Sequence, residues 1–173
     1  GDFDNGVIAH EYGHGISTRL TGGPFTSCLS NDEQMGEGWS DFFALMLQMK
    51  SGDDPAARRG IGTFVMSQST SDTGIRSYPY STDMAVNPFT FASSNTEVVP
   101  HGVGSVWATM LWDLAWAYVG KYGFDSNKYS GTGGNNKVMR LVLDGLKLQG
   151  CNPTFVTARN ALISADQNTT GGQ

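Results

Sequence analysis

The segment His10-Glu11-Tyr12-Gly13-His14 constrains this chain more than any other. Residues four apart lie on one face of a helix, with their β-carbons about 6 Å apart. A single turn can therefore aim two imidazoles at one point, with Glu11 beside them. This works only if the flanks are helical. Asp4 and Asn5 supply a start signal and Thr21-Gly22-Gly23-Pro24 a stop, which predicts a helix over residues 4–21. The plain alternative is a surface helix with two solvated histidines. Tyr12, between the two histidines, is expected to pack beneath the helix rather than to act chemically.

A second cluster, Gly36-Glu37-Gly38-Trp39-Ser40-Asp41, opens the next apolar run. Glu37 follows His14 by 23 residues, enough for one turnaround and a helix packed back on the first. Glu37 can then join His10 and His14 as a third metal ligand. Two nitrogens and a carboxylate suit Zn2+, and a catalytic zinc keeps a further position open for water. Glu11 is the candidate general base for that water. Asp41 lies one turn beyond Glu37 on the same face. A carboxylate there can accept the free ring N–H of a ligating histidine and fix its tautomer, and His10 is the expected partner. Capping and surface roles for the two acids are disfavoured because burying an unpaired carboxylate in so apolar a helix is costly.

The rest of the chain reads as mainly α with few strands, in one unit spanning residues 1–173. The third-ligand helix is expected over residues 33–51, capped by Asn31 or Asp32, apolar on more than one face and so deep in the core. A shorter helix is expected from Pro55 to about Ser67, with proline in its first turn. Residues 70–100 carry Ser, Thr, Asn and Pro without a period and read as a long ordered loop of the kind that carries function. Further helices are expected over residues 103–122, 136–148 and 153–165. The tail Asn168-Thr169-Thr170-Gly171-Gly172-Gln173 should fray.

Charged residues make up 16% of the chain, against about 25% in an average soluble domain. Together with many small polar residues, this leans toward an extracellular protein. The net charge of −5 and the lack of a basic stripe disfavour nucleic-acid binding. No apolar run approaches the roughly 20 residues of a membrane span. No signal peptide is present, and the abrupt start before the histidine motif reads as an excised or processed piece. Cys28 and Cys151 could pair with each other, pair outside this piece, or stay free. Asp53, Asp54 and Asp125 show no calcium-loop spacing, so calcium is not indicated.

His10-Glu-Tyr-Gly-His14-Gly, Leu20-Thr-Gly-Gly-Pro24 and Met35-Gly-Glu-Gly-Trp-Ser-Asp-Phe42 closely resemble the fungalysin family of secreted, thermolysin-like metalloendopeptidases. The likeness continues through Gly74-Ile-Arg-Ser-Tyr-Pro-Tyr-Ser81, Val106-Trp-Ala-Thr-Met-Leu111 and Cys151-Asn-Pro-Thr-Phe-Val-Thr-Ala-Arg159. It implies the helical C-terminal lobe of such an enzyme, one catalytic zinc on His10, His14 and Glu37, and protein or peptide substrates. It also implies that His101 donates a hydrogen bond to the oxyanion of the tetrahedral intermediate, where the plain alternative is a loop histidine capping the next helix. A carboxylate partner for His101 does not follow, because Glu97 and His101 stand two residues further apart than the family pattern. Arg76 is implied to bind a substrate backbone carbonyl, with a structural ion pair as its alternative. Relatives carry a β-rich lobe before the zinc helix and a cysteine-containing final segment. Both are absent from this sequence, and Cys151 is implied to pair with that later cysteine. Two functions follow: a secreted zinc endopeptidase, or a zinc-binding piece left catalytically idle without its lobe.

Overall fold

The computed structural model describes residues 1–172. Its α-helices are α1 (Asn5–Leu20), α2 (Gly36–Gln48), α3 (His101–Tyr122), α4 (Gly134–Leu148) and α5 (Phe155–Thr170), with a short 3-10 helix at Phe91–Asn95. The described residues form no strand, only two isolated β-bridges, Arg59–Tyr80 and Ile61–Gly74. The mainly helical class expected from the sequence is the observed one.

The core is built around α2, whose residues from Gly38 to Met46 are all buried. Helix α3 packs on it through Val103, Trp107 and Leu111, and α4 adds Val138, Val142 and Leu146. Trp39 meets Trp107 edge-on at 5.1 Å between ring centroids, and Trp107 meets Phe155 of α5 at the same separation. Such aromatic contacts add about 0.5–1.5 kcal/mol each beyond the area they bury.

Helix α1 docks differently. Its buried residues are Gly6, His10, Gly13 and Ser17. Gly13 sits where α1 crosses α2, and a β-carbon there would stand 2.7 Å from the Ser40 α-carbon. At the crossing of α2 and α3, a β-carbon on Gly38 would lie 2.3 Å from the Gly104 carbonyl oxygen. These two glycines, one inside each motif, let three helix backbones close around the motif side chains.

Several boundaries depart from expectation. Asp4 caps α1 as anticipated, accepting from the N–H groups of Gly6 and Val7. Helix α2 starts later than predicted, after Met35, with no side-chain cap. Asn31 instead donates to the Pro153 carbonyl, and Glu33 accepts from the Phe155 N–H at the start of α5. No helix forms over residues 55–67. The two bridges fold that segment back on residues 74–80, and a β-carbon on Gly74 would fall 1.8 Å from the Ile61 carbonyl oxygen. Helix α5 continues through the first half of the tail expected to fray and stops at left-handed Gly171, a usual helix terminator. Gln173, the last residue of that tail, lies outside the described residues. Tyr12 does not pack beneath α1 but stands 75% exposed, because the buried face of that helix holds only small residues and His10.

The cysteines also differ from what the resemblance implied. Cys28 and Cys151 form a disulfide. The turn before α5 lies against the loop after α1, with the Asn152 N–H donating to the Cys28 carbonyl and the Ser30 N–H to the Asn152 side chain. That apposition brings the two sulfurs together without a cysteine from any further segment.

Candidate metal centre

His10 and His14 project from successive turns of α1, and Glu37 comes from the first turn of α2. His10 Nε2 lies 3.2 Å from His14 Nε2 and 3.2 Å from Glu37 Oε2, and His14 Nε2 lies 3.5 Å from Glu37 Oε1. Ligands of a tetrahedral ion with bonds of about 2.0–2.1 Å stand roughly 3.3 Å apart. The three side chains therefore fit a zinc-sized ion. They also form the group of His, Cys, Asp or Glu side chains identified among the described residues as able to hold one.

His10 Nδ1 lies 2.6 Å from Asp41 Oδ1. Asp41 is fully buried and its ionised carboxylate only accepts, so the proton sits on Nδ1 and a neutral His10 turns the Nε2 lone pair toward His14 and Glu37. Asp41 also accepts from Arg76 Nε at 2.7 Å and Nη2 at 2.9 Å, and from the Tyr80 hydroxyl. Arg76 Nη2 reaches Glu37 Oε2 as well, at 3.0 Å. One guanidinium thus ties the candidate ligand Glu37 to the carboxylate behind His10.

Charges in this cluster are mutually dependent. Burial works against ionising Glu37, but hydrogen bonds from His10 and His14 and the Arg76 charge hold it well below the usual carboxylate range. Asp41 is held down against its burial in the same way, by His10 and Arg76. Burial pulls His10 downward, yet Asp41 and Glu37 outweigh it and raise His10 to about 9. Burial, then the Asp41 charge, pushes the Tyr80 phenol well above 10, so Tyr80 remains a donor.

The remaining expected site residues are placed as follows. Glu11 is exposed between the two histidines, its side chain making no hydrogen bond or ion pair among the described residues. His101 opens α3 with its ring 65% exposed and Nε2 3.5 Å from Glu37 Oε1. The approach of Gly104 to the Glu37 and Gly38 backbone brings it there. Glu97 packs against Gly102 rather than pairing with His101. Arg76 is only 7% exposed and spends its guanidinium on Asp41 and Glu37, which is the ion-pair alternative to an open substrate-binding arginine. Tyr80 escaped the sequence reading. Its signal was a tyrosine four residues past Arg76, but nothing local told which phenol of Tyr78-Pro79-Tyr80 would turn inward.

Residues 1–173 match the profile of the family described as Fungalysin metallopeptidase (M36). The chain is 49% identical to "Extracellular metalloproteinase MEP" of Pyricularia oryzae, with 96% of this chain and 27% of that protein aligned. It is 44% identical to "Extracellular metalloproteinase 2" of Arthroderma gypseum over 100% of this chain, and 43% identical to "Extracellular metalloproteinase 10" of Coccidioides posadasii, again over 100%. It spans between a quarter and a third of the length of these relatives. No helix among the described residues is long and apolar enough to cross a membrane.

Proposed function

This chain belongs to the fungalysin metallopeptidase family, and from that premise we propose that it holds the catalytic centre of a secreted, thermolysin-like zinc endopeptidase. His10, His14 and Glu37 would hold the ion. The observation that carries this reading is that His10 Nε2 and His14 Nε2 lie 3.2 Å apart and each lies within 3.5 Å of a Glu37 carboxylate oxygen, close to the edge length of a zinc tetrahedron. Zinc bound there supplies Lewis acidity and a water acidic enough to ionise near neutral pH. Glu11 takes the proton from the attacking water and delivers it to the departing amine. Its exposure and lack of a partner keep it free for that transfer. His101 donates a hydrogen bond to the oxyanion of the attacked carbonyl, a contribution of about 3–4 kcal/mol for one well-placed donor. Its open ring beside Glu37 supports the role. Asp41 keeps the His10 proton on Nδ1. Secretion accords with the Cys28–Cys151 disulfide, since such bonds persist in oxidising compartments.

Exposed apolar side chains near the start of the chain and beyond favour a second reading. Phe3 is 89% exposed, and Ile8, Tyr12, Phe64 and Met66 are also open to solvent. Ile8 and Tyr12 stand one turn apart on one face of α1, and contiguous apolar surface marks a face used for contact. On this reading the chain binds zinc but is idle until a further lobe of the protein covers that face and aligns the peptide.

Cleavage of a quenched fluorescent peptide library by the zinc-loaded chain, beside Glu11→Ala, separates the two. Cleavage abolished by Glu11→Ala and by a chelator supports the endopeptidase. Zinc bound at one ion per chain without cleavage supports the idle piece, and full activity in Glu11→Ala sinks the proposed mechanism.

A further inference from the structure

A carboxylate has about four lone-pair sites, and all four on Asp41 are used. Oδ1 takes His10 Nδ1 and Arg76 Nη2, while Oδ2 takes Arg76 Nε and the Tyr80 hydroxyl. Asp41 and Tyr80 are each at most 1% exposed, so no water stands ready to replace a lost partner. Tyr80 is itself fixed from behind. Its backbone exchanges two hydrogen bonds with Arg59, at 2.9 and 2.7 Å. The neighbouring Pro79 carbonyl accepts from Asn87, which in turn is tied to Thr109 of α3. The phenol thus reaches Asp41 from a stapled loop rather than a mobile one.

We propose that Tyr80 is a positioning residue for the metal centre: its hydroxyl, together with the Arg76 fork, fixes the rotation of the Asp41 carboxylate that orients the His10 ring. The inference rests on the reading of His10, His14 and Glu37 as zinc ligands, and adds to it a residue that hydrogen-bonds to Asp41 rather than to any of them. Loss of the hydroxyl leaves Oδ2 one donor short and the Arg76 fork as the remaining restraint on that oxygen, so the carboxylate shifts toward Arg76 and the aim of His10 loosens. Partners of this kind, behind a ligand, typically change metal affinity by about 10–100-fold.

The test compares Tyr80→Phe with Ser81→Ala. Ser81 is the adjacent residue, 2% exposed, and its hydroxyl donates to the Ala56 carbonyl without reaching Asp41. Both variants lose one buried hydroxyl from the same loop. Zn2+ affinity is measured by competition with a chromophoric chelator, and ligand geometry by the visible spectrum of the Co2+-loaded protein. The expected result is about tenfold weaker Zn2+ binding and a changed Co2+ spectrum in Tyr80→Phe, with both unchanged in Ser81→Ala. Wild-type affinity and spectrum in Tyr80→Phe would overturn the inference, as would equal weakening in Ser81→Ala, which would mark a general loosening of the loop. Should Tyr80→Phe fold poorly, proton NMR of the wild type decides. The Tyr80 hydroxyl and His10 Nδ1 protons should shift together on zinc removal, and a Tyr80 signal blind to zinc overturns the proposal. A wild-type chain that takes up no Zn2+ sinks the metal reading itself. Zinc uptake without peptide cleavage leaves this inference intact.

Discussion

The α2–α3–α4–α5 packing and the docking of α1 on α2 are held by different forces. The first is apolar: Trp39, Phe42, Trp107, Leu111, Val142 and Leu146 are buried to within 1% of completely. The second buries Gly6, His10, Gly13 and Ser17 on α1, supported at the edges by the partly buried Ala9, Ile16 and Leu20. What fastens α1 is a polar cluster running from His10 and His14 through Glu37 and Asp41 to Arg76 and Tyr80. Burying such a cluster stabilises a fold poorly compared with apolar groups of equal volume. The comparison teaches that the region presenting the candidate chemistry is held in place by that same chemistry, and that a proper core elsewhere carries the stability.

The largest effect that would sharpen this contrast is purely chemical. Glu11→Gln should lower peptide cleavage by about 10²–10⁴-fold, with Zn2+ affinity and thermal unfolding unchanged, because the exposed carboxylate forms no hydrogen bond or ion pair with another described residue. Steady-state kinetics beside calorimetry checks it. On the apolar side, Leu146→Ala should cost about 2–5 kcal/mol in urea unfolding while Zn2+ affinity stays at the wild-type value. Weakened zinc binding there would break the division between the two regions. Gly13→Ala should cost less, about 1–3 kcal/mol of strain, since its new β-carbon meets the Ser40 α-carbon. It should nonetheless weaken zinc binding by parting α1 from α2, measured by the same chelator competition.

A further effect is that of pH. His10 is raised from 6.5 to about 9 in the metal-free protein. Its contribution to stability is therefore complete below pH 6.5 and is lost as pH rises through 9. Zinc requires the neutral ring, so its uptake releases that proton, and affinity should fall about tenfold per pH unit below 9. Chelator competition across pH 6.5–9.5 tests the slope. A flat profile would mean that His10 is not a ligand, or not the proton carrier.

The same contrast explains what the sequence made legible. His10, His14, Glu37 and Asp41 sit at helical spacings, and spacing on a helix fixes which side chains share a face. Their mutual placement followed once two helices were expected to pack, and the apolar runs of α2 and α3 marked the core. Residues 55–82 obey no such period. Their form depends on Gly74 fitting against Ile61 and on the Arg59–Tyr80 bridge, which are contacts between distant positions. The false helix over residues 55–67 and the inward turn of Tyr80 were hidden for that reason, and for Arg76 the ion pair stood as one of two open readings. The disulfide was hidden similarly, since it depends on a turn 123 residues away in sequence. Tyr12 was misplaced because α1, unlike α2, offers no apolar face to bury it.

The central claim is that His10, His14 and Glu37 together hold one zinc ion. Native mass spectrometry of the protein after equilibration with Zn2+ and dialysis, beside Glu37→Ala, tests it directly. One zinc per wild-type chain and none retained by Glu37→Ala is the predicted result. Zinc kept at full occupancy by Glu37→Ala, or none held by the wild type, would contradict it.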